Sequence, residues 1–86
     1  MPRAIKAPGP QYSEEAREKK FQGRTVARLI VGADGRPRDI VIVLPLPYGL
    51  NEEAIKALKK WRFKPATMNG QPVAVQVNVE VDFRLY

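Results

Sequence analysis

The residues best equipped for chemistry in this 86-residue chain are few, and they lack the partners catalysis would need. Paired acids stand at Glu14-Glu15 and Glu52-Glu53, a composition that general acid–base work could use. Each pair falls where a helix is expected to begin, and a helix start favours negative charge, so dipole complementarity accounts for both. Asp34-Gly35 has the chemistry of a turn. Ser13 is the only serine, and no histidine exists to activate it. The chain contains neither histidine nor cysteine. That removes the commonest general base, the commonest transition-metal ligand, disulfides and thiolate nucleophiles together. The glycines are scattered and form no phosphate-cradling loop. The expectation is no enzyme: no catalytic residue, no cofactor and no metal.

One motif points elsewhere. Trp61 and Phe63, interleaved with Lys60, Arg62 and Lys64, have the composition of a nucleic-acid patch that combines stacking with positive charge. Against this, Ala54, Leu58 and Trp61 stand at i, i+4 and i+7, the apolar stripe of an amphipathic helix, which makes Trp61 a core residue. Lys and Arg number 15 against 9 Asp and Glu, a net charge of +6 that suits an anionic partner. The basic residues spread from Arg3 to Arg84, and only Lys59 to Lys64 is dense. No nucleic-acid partner is expected from that distribution.

The elements that would position such residues fit one small domain. No apolar run approaches the ~20 residues of a membrane-spanning helix. Met1 to Lys6 has no apolar stretch of the signal-peptide kind. Residues 1–11, with Pro2, Pro8, Gly9 and Pro10, read as the end of a proline-containing linker, and residues 12–86 as the domain. A short helix follows, capped by Ser13 and stopped by Gly23. Arg24 to Val31 and Asp39 to Leu44 read as an antiparallel hairpin around Asp34-Gly35, with Ile40, Ile42 and Leu44 on one face. A second helix opens with Asn51 as cap, carries the stripe through Trp61 and ends at Pro65.

The clearest pattern is the last. Val73, Val75, Val77, Val79, Val81, Phe83 and Leu85 alternate with Ala74, Gln76, Asn78, Glu80, Asp82 and Arg84. Period-two alternation predicts one long strand with a dry and a wet face. Arg24 to Val31 is too short to pair with all of it, so part of its edge is expected to be open for β-augmentation or self-pairing, or to be covered by the N-terminal segment. The fold class is then α+β, with two helices on a three-stranded antiparallel sheet in the order α-β-β-α-β.

These residues also carry a resemblance. Pro10-Gln11-Tyr12, Glu14-Glu15-Ala16-Arg17, Gly23 and Asp34-Gly35-Arg36 occur in order, followed by Trp61-Arg62-Phe63-Lys64-Pro65-Ala66 and Asn69-Gly70-Gln71-Pro72-Val73. Val81-Asp82-Phe83-Arg84-Leu85 completes the series. From about Pro10 to Leu85 the chain resembles the C-terminal domain of the TonB family of energy transducers. It departs at Ser13, where the family usually has proline, and at Pro45-Leu46-Pro47-Tyr48-Gly49, where the family loop is commonly small and polar.

The resemblance implies a non-enzymatic periplasmic domain of a protein anchored in the inner membrane. In the family such a domain grips the TonB-box segment of an outer-membrane receptor by strand addition and passes on proton-motive energy for siderophore or nutrient uptake. Carried over by position, the partner-binding residues would be Pro10, Gln11 and Tyr12, with Val73, Ala74, Val75, Gln76, Val77, Asn78, Val79, Glu80, Val81 and Asp82. Inner-membrane motor proteins would be met only through an N-terminal part of the parent that this chain does not carry. A homodimer through the last strand is the other expected partner. The alternatives are a basic nucleic-acid-binding domain, which salt dependence would separate from strand addition, and a TolA-like periplasmic domain, over which Trp61-Arg62-Phe63-Lys64-Pro65 favours the TonB family.

Overall fold

The computed structural model describes residues 2–85. The alternating apolar positions of the last segment find their mates directly on the segment after the first helix. Strand β2 (Gly23–Val31) pairs residue for residue with the last strand, β7 (Val75–Phe83), from Gly23 opposite Phe83 to Val31 opposite Val75. On its other side β2 pairs with β3 (Pro37–Leu44), giving an antiparallel sheet of order β3-β2-β7. Helices α1 (Glu14–Glu18) and α2 (Leu50–Leu58) contribute Ala16, Leu50, Ala54 and Leu58 to one buried cluster. The same cluster takes Ala27, Leu29 and Val31 from β2 with Val81 and Phe83 from β7, so both helices cover one face of the sheet. The expected α+β class, with two helices on a three-stranded antiparallel sheet, is the observed one.

Four shorter strands lie outside that scheme. Strand β1 (Arg3–Lys6) runs antiparallel to β4 (Arg62–Lys64), and β5 (Ala66–Met68) forms a hairpin with β6 (Gln71–Val73) across Asn69 and Gly70. The hairpin turns where Asn69 and Gly70 adopt φ values of 52° and 78°, the left-handed pair that a two-residue turn requires. The alternation from Val73 to Leu85 is therefore interrupted at Ala74. Its surplus length is absorbed by β6, and no stretch of β7 lacks a partner on the β2 side.

Several local expectations are corrected. Ser13 caps α1 as expected, its hydroxyl accepting from the Ala16 N–H at 3.2 Å, but the helix ends at Glu18. Lys20, at φ 52°, turns the chain, and Gly23 opens β2 instead of closing the helix. Helix α2 starts from Gly49, at φ 72°, and not from Asn51. The Asn51 side chain is occupied in tying the preceding loop, accepting from the Leu46 N–H at 2.8 Å. Pro65 does not end α2. The helix stops at Leu58, and Arg62 to Lys64 turn into a strand because β1 offers backbone partners there.

Trp61 therefore stands beyond the helix. It is half-buried, its indole Nε1 donates to the Pro8 carbonyl at 3.0 Å, and its ring tilts against that of Phe63. Ala54 and Leu58 are fully buried as the stripe requires, while Val77 and Val79 are partly buried against the core and Val75 lies outside it. On β3, Ile40 and Ile42 face the core but Leu44 is exposed. The register against β2 slips between Val26 and Ala27 and again between Arg28 and Ile30, which breaks the strict alternation. Gly35, at φ 81°, cannot be replaced cheaply: a Cβ there would stand 2.3 Å from the Phe63 carbonyl oxygen.

Candidate functional site

Strand β7 is the terminal strand of the sheet, so its side away from β2 carries no ladder among the described residues. Which backbone groups it offers follows from parity. The Gly32 N–H donates to the Arg36 carbonyl at 3.0 Å, so Gly32 directs its backbone towards β3. Backbone direction alternates along a strand, so Ile30, Arg28, Val26 and Arg24 face β3 while Val31, Leu29, Ala27, Thr25 and Gly23 face β7. Pro37, opposite Val31, then stands in a pair that exchanges no hydrogen bonds, where its missing N–H costs nothing.

In the one-to-one register, Val75, Val77, Val79, Val81 and Phe83 bond back to β2. Gln76, Asn78, Glu80 and Asp82 aim their N–H and C=O groups outward. Their side chains share the exposed face of the sheet, while on the other face Val81 and Phe83 are buried in the core and Val77 and Val79 are partly buried against it. The open edge therefore presents donors and acceptors at intervals of about 6.7 Å, the repeat an added extended chain would match.

Charge is concentrated at one end of this edge. Arg24 lies across from Asp82, donating from Nε to Oδ1 at 2.7 Å, and its Nη1 is 3.0 Å from Glu80 Oε2. Arg84 reaches Asp82 Oδ2 at 3.7 Å from the other side. The hydrogen bond from Arg24 holds the Asp82 carboxyl below the usual aspartate range, with the Arg24 and Arg84 charges acting the same way against some desolvation. That hydrogen bond likewise raises Arg24. Asp82 is thus held in its charged form, and both outward acids are paired with Arg24, which leaves the edge polar without strong net repulsion.

The expected site residues divide into three places. Val75, Gln76, Val77, Asn78, Val79, Glu80, Val81 and Asp82 lie on β7 itself. Val73 belongs to the β5–β6 hairpin, opposite Ala66, and Ala74 is the joint between β6 and β7. Pro10, Gln11 and Tyr12 lie at the far end of β7. The Tyr12 ring meets Phe83 edge-on, with centroids 5.7 Å apart, and its hydroxyl donates to the Phe21 carbonyl at 2.7 Å. Desolvation raises the Tyr12 pKa above the ordinary tyrosine value. These three residues border an open depression with Arg17, Arg84 and Leu85.

The fold thus brings the segment before α1 to the Asp82 end of the edge. Val75 stands about 23 Å from Asp82 along the strand. Sequence reasoning did not find Arg24, Arg17 or Arg84. Arg24 becomes legible only with the strand register, which sets it opposite an acid; Arg17 and Arg84 stand within the motifs, but nothing in their spacing assigns them to the site.

A pair of helices over one face of a short antiparallel sheet, with a regular last strand left open along one side, defines an α+β domain of the strand-edge type. The family model for the Gram-negative bacterial TonB protein C-terminal matches residues 8–85, and the chain belongs to that family. It is 32% identical over 79 residues to protein tonB2 of Pseudomonas aeruginosa, covering 91% of this chain and 29% of that protein. It is 31% identical over 82 residues to protein TonB of Escherichia coli K12, covering 94% and 34%. The chain thus spans about a third of the length of these relatives. Among solved structures it is similar to the solution NMR structure of the Pseudomonas aeruginosa TonB CTD. There the TM-score is 0.77 at 27% identity, covering 98% of this chain and 86% of that one.

Proposed function

We propose that this chain is a non-enzymatic receptor-gripping module. It takes the extended TonB-box segment of an outer-membrane receptor as an added strand along β7 and transmits force derived from the proton gradient for uptake. The supporting observation is the open edge, with the backbone of Gln76, Asn78, Glu80 and Asp82 directed outward beside a regular, fully paired β2 ladder. Several outward groups at a net ~0.5–1.5 kcal/mol each give a grip that is firm but reversible, which a pulling cycle requires. Pro10, Gln11 and Tyr12 extend the contact beyond the Asp82 end. The module works in the periplasm, carried by a membrane-anchored parent whose other parts meet the motor proteins. Residues 1–11 are the end of the linker to that parent, of which Arg3–Lys6 folds back on β4.

The test is amide hydrogen exchange with a TonB-box peptide. The amides of Gln76, Asn78, Glu80 and Asp82 should exchange quickly in the free domain at low concentration and become protected on peptide addition. Protection of all four without peptide, rising with protein concentration, would show that a second copy occupies the edge instead. Peptide binding with no change at these amides would overturn the reading.

A further inference from the structure

The net charge of this chain is not spread over its surface. Residues 1–13 and 54–79 contain no Asp or Glu, and they hold Arg3, Lys6, Lys56, Lys59, Lys60, Arg62 and Lys64. The other eight Lys and Arg are outnumbered by the nine acids, so the entire positive excess comes from these two stretches. They are distant in sequence, and the fold joins them. Strand β1 pairs with β4 so that Arg3 stands opposite Lys64 and Lys6 opposite Arg62. Like charges directly across a ladder oppose folding, so this ribbon is built against its own electrostatics. Lys59 and Lys60 follow α2 immediately beside it, and the Arg62 guanidinium donates to the Lys59 carbonyl at 3.1 Å. Among the described residues, none of Arg3, Lys6, Lys59, Lys60, Arg62 and Lys64 has a carboxylate at ion-pair distance. Between Arg3 and Lys6 stands Ile5, 68% exposed and the most exposed of the large hydrophobic side chains among the described residues.

We infer that the β1–β4 ribbon is a docking surface for an anionic phospholipid bilayer. Clustered cations attract the lipid phosphates, and a protruding aliphatic side chain among them enters the headgroup layer, where a purely phosphate-lined partner would leave it exposed. The Asp34-Gly35 turn holds the ribbon, with Phe63 N–H donating to the Gly35 carbonyl at 2.9 Å. That places it at the Val31/Val75 end of the sheet, away from the Tyr12 and Asp82 end of the β7 edge. Lipid contact and strand addition can therefore occur together.

The experiment is co-sedimentation of the 86-residue chain with phosphatidylglycerol vesicles and with phosphatidylcholine vesicles. Binding is expected only to the former and should fall with salt, since the interaction is screened. Neutralising Lys59, Lys60 and Lys64 together, as K59Q/K60Q/K64Q, removes three exposed cations. It should weaken vesicle binding on the order of a hundredfold, roughly fivefold per charge. The triple variant should bind an extended peptide at β7 as the parent does, which separates this inference from the receptor-gripping reading. Ile5→Ser should weaken vesicle binding while leaving affinity for a duplex oligonucleotide unchanged. Equal binding to both vesicle types, or vesicle binding unmoved by the triple variant or by Ile5→Ser, would overturn the inference. So would tighter binding to the oligonucleotide than to anionic vesicles at equal phosphate concentration.

Discussion

Strands β3 and β7 flank the same central strand, yet they leave their outer backbone in opposite conditions. Along β7 the register with β2 never slips, and the exposed side chains are Gln76, Asn78, Glu80 and Asp82. Along β3 it slips twice. Asp39 sits at φ 52°, and Val41, Val43 and Leu44 are the exposed apolar residues of that strand. An edge that is apolar and straight invites uncontrolled pairing, and bulges that twist it away are one of the ways proteins prevent this. The greasy edge is thus the irregular one, and the regular edge is polar. Solubility at β7 comes from side chains that leave its backbone free to pair, whereas at β3 it comes from distortion of the backbone itself. Of these two edges, β7 is the one that combines an unbroken register with polar exposed side chains, which is what the proposed strand addition needs.

The sharpest way to break this comparison is a pair of neighbouring prolines on β7. Val79→Pro removes an N–H that bonds to β2 and leaves the Ala27 carbonyl without its donor. It should cost about 1–3 kcal/mol, a large share of a small domain's stability, in urea unfolding. Glu80→Pro removes an outward N–H, so the domain should remain folded while peptide affinity falls roughly three- to tenfold. Equal destabilisation by the two would show that the inward and outward positions have been assigned wrongly.

A smaller effect tests β3. Asp39→Val puts a β-branched side chain at a positive φ, a strain of about 1–2 kcal/mol. The strained strand should either melt earlier or relieve itself by straightening. In the second case sedimentation should show association that grows with concentration, because the apolar edge has lost its protection. A variant as stable as the parent and no more associated would mean that the Asp39 distortion protects nothing.

How much of this was legible in sequence depends on whether the signal was local. The dry and wet faces of β7 follow from simple alternation, and the Ser13 cap and Asp34-Gly35 turn from short-range hydrogen-bonding chemistry. The Asp34 side chain indeed accepts from the Arg36 N–H at 3.0 Å. Strand length points to the open edge for the wrong reason. The excess folds into the β5–β6 hairpin, and the edge is open because β7 is the last strand of the sheet. The β1–β4 ribbon was hidden because neither strand alternates convincingly and their pairing spans most of the chain. For the same reason Trp61 reads as helical in sequence: its spacing from Leu58 fits the stripe, and only the distant partner strand draws Arg62 to Lys64 into extended backbone.

The smallest expected effect concerns the charged end of β7. The hydrogen bond from Arg24 keeps the Asp82 carboxyl below the ordinary aspartate pKa. A carboxyl depressed in the folded state stabilises that state fully above its unfolded pKa, near ~3.9, and the contribution is lost as pH falls through the lower folded value. Because Arg24, Glu80 and Asp82 are each about half exposed, water screens the pairs and little stability is at stake near neutrality. Arg24→Gln should therefore leave the melting temperature at pH 7 close to that of the parent. In the variant the Asp82 carboxyl should titrate nearer its ordinary value, a shift readable from its side-chain carbon resonance. The parent should also lose stability relative to the variant only below about pH 4. An unchanged Asp82 midpoint would mean that Arg84, the other cation at this end of the edge, holds the carboxylate, and that Arg24 does not tie β7 to β2 on the exposed face.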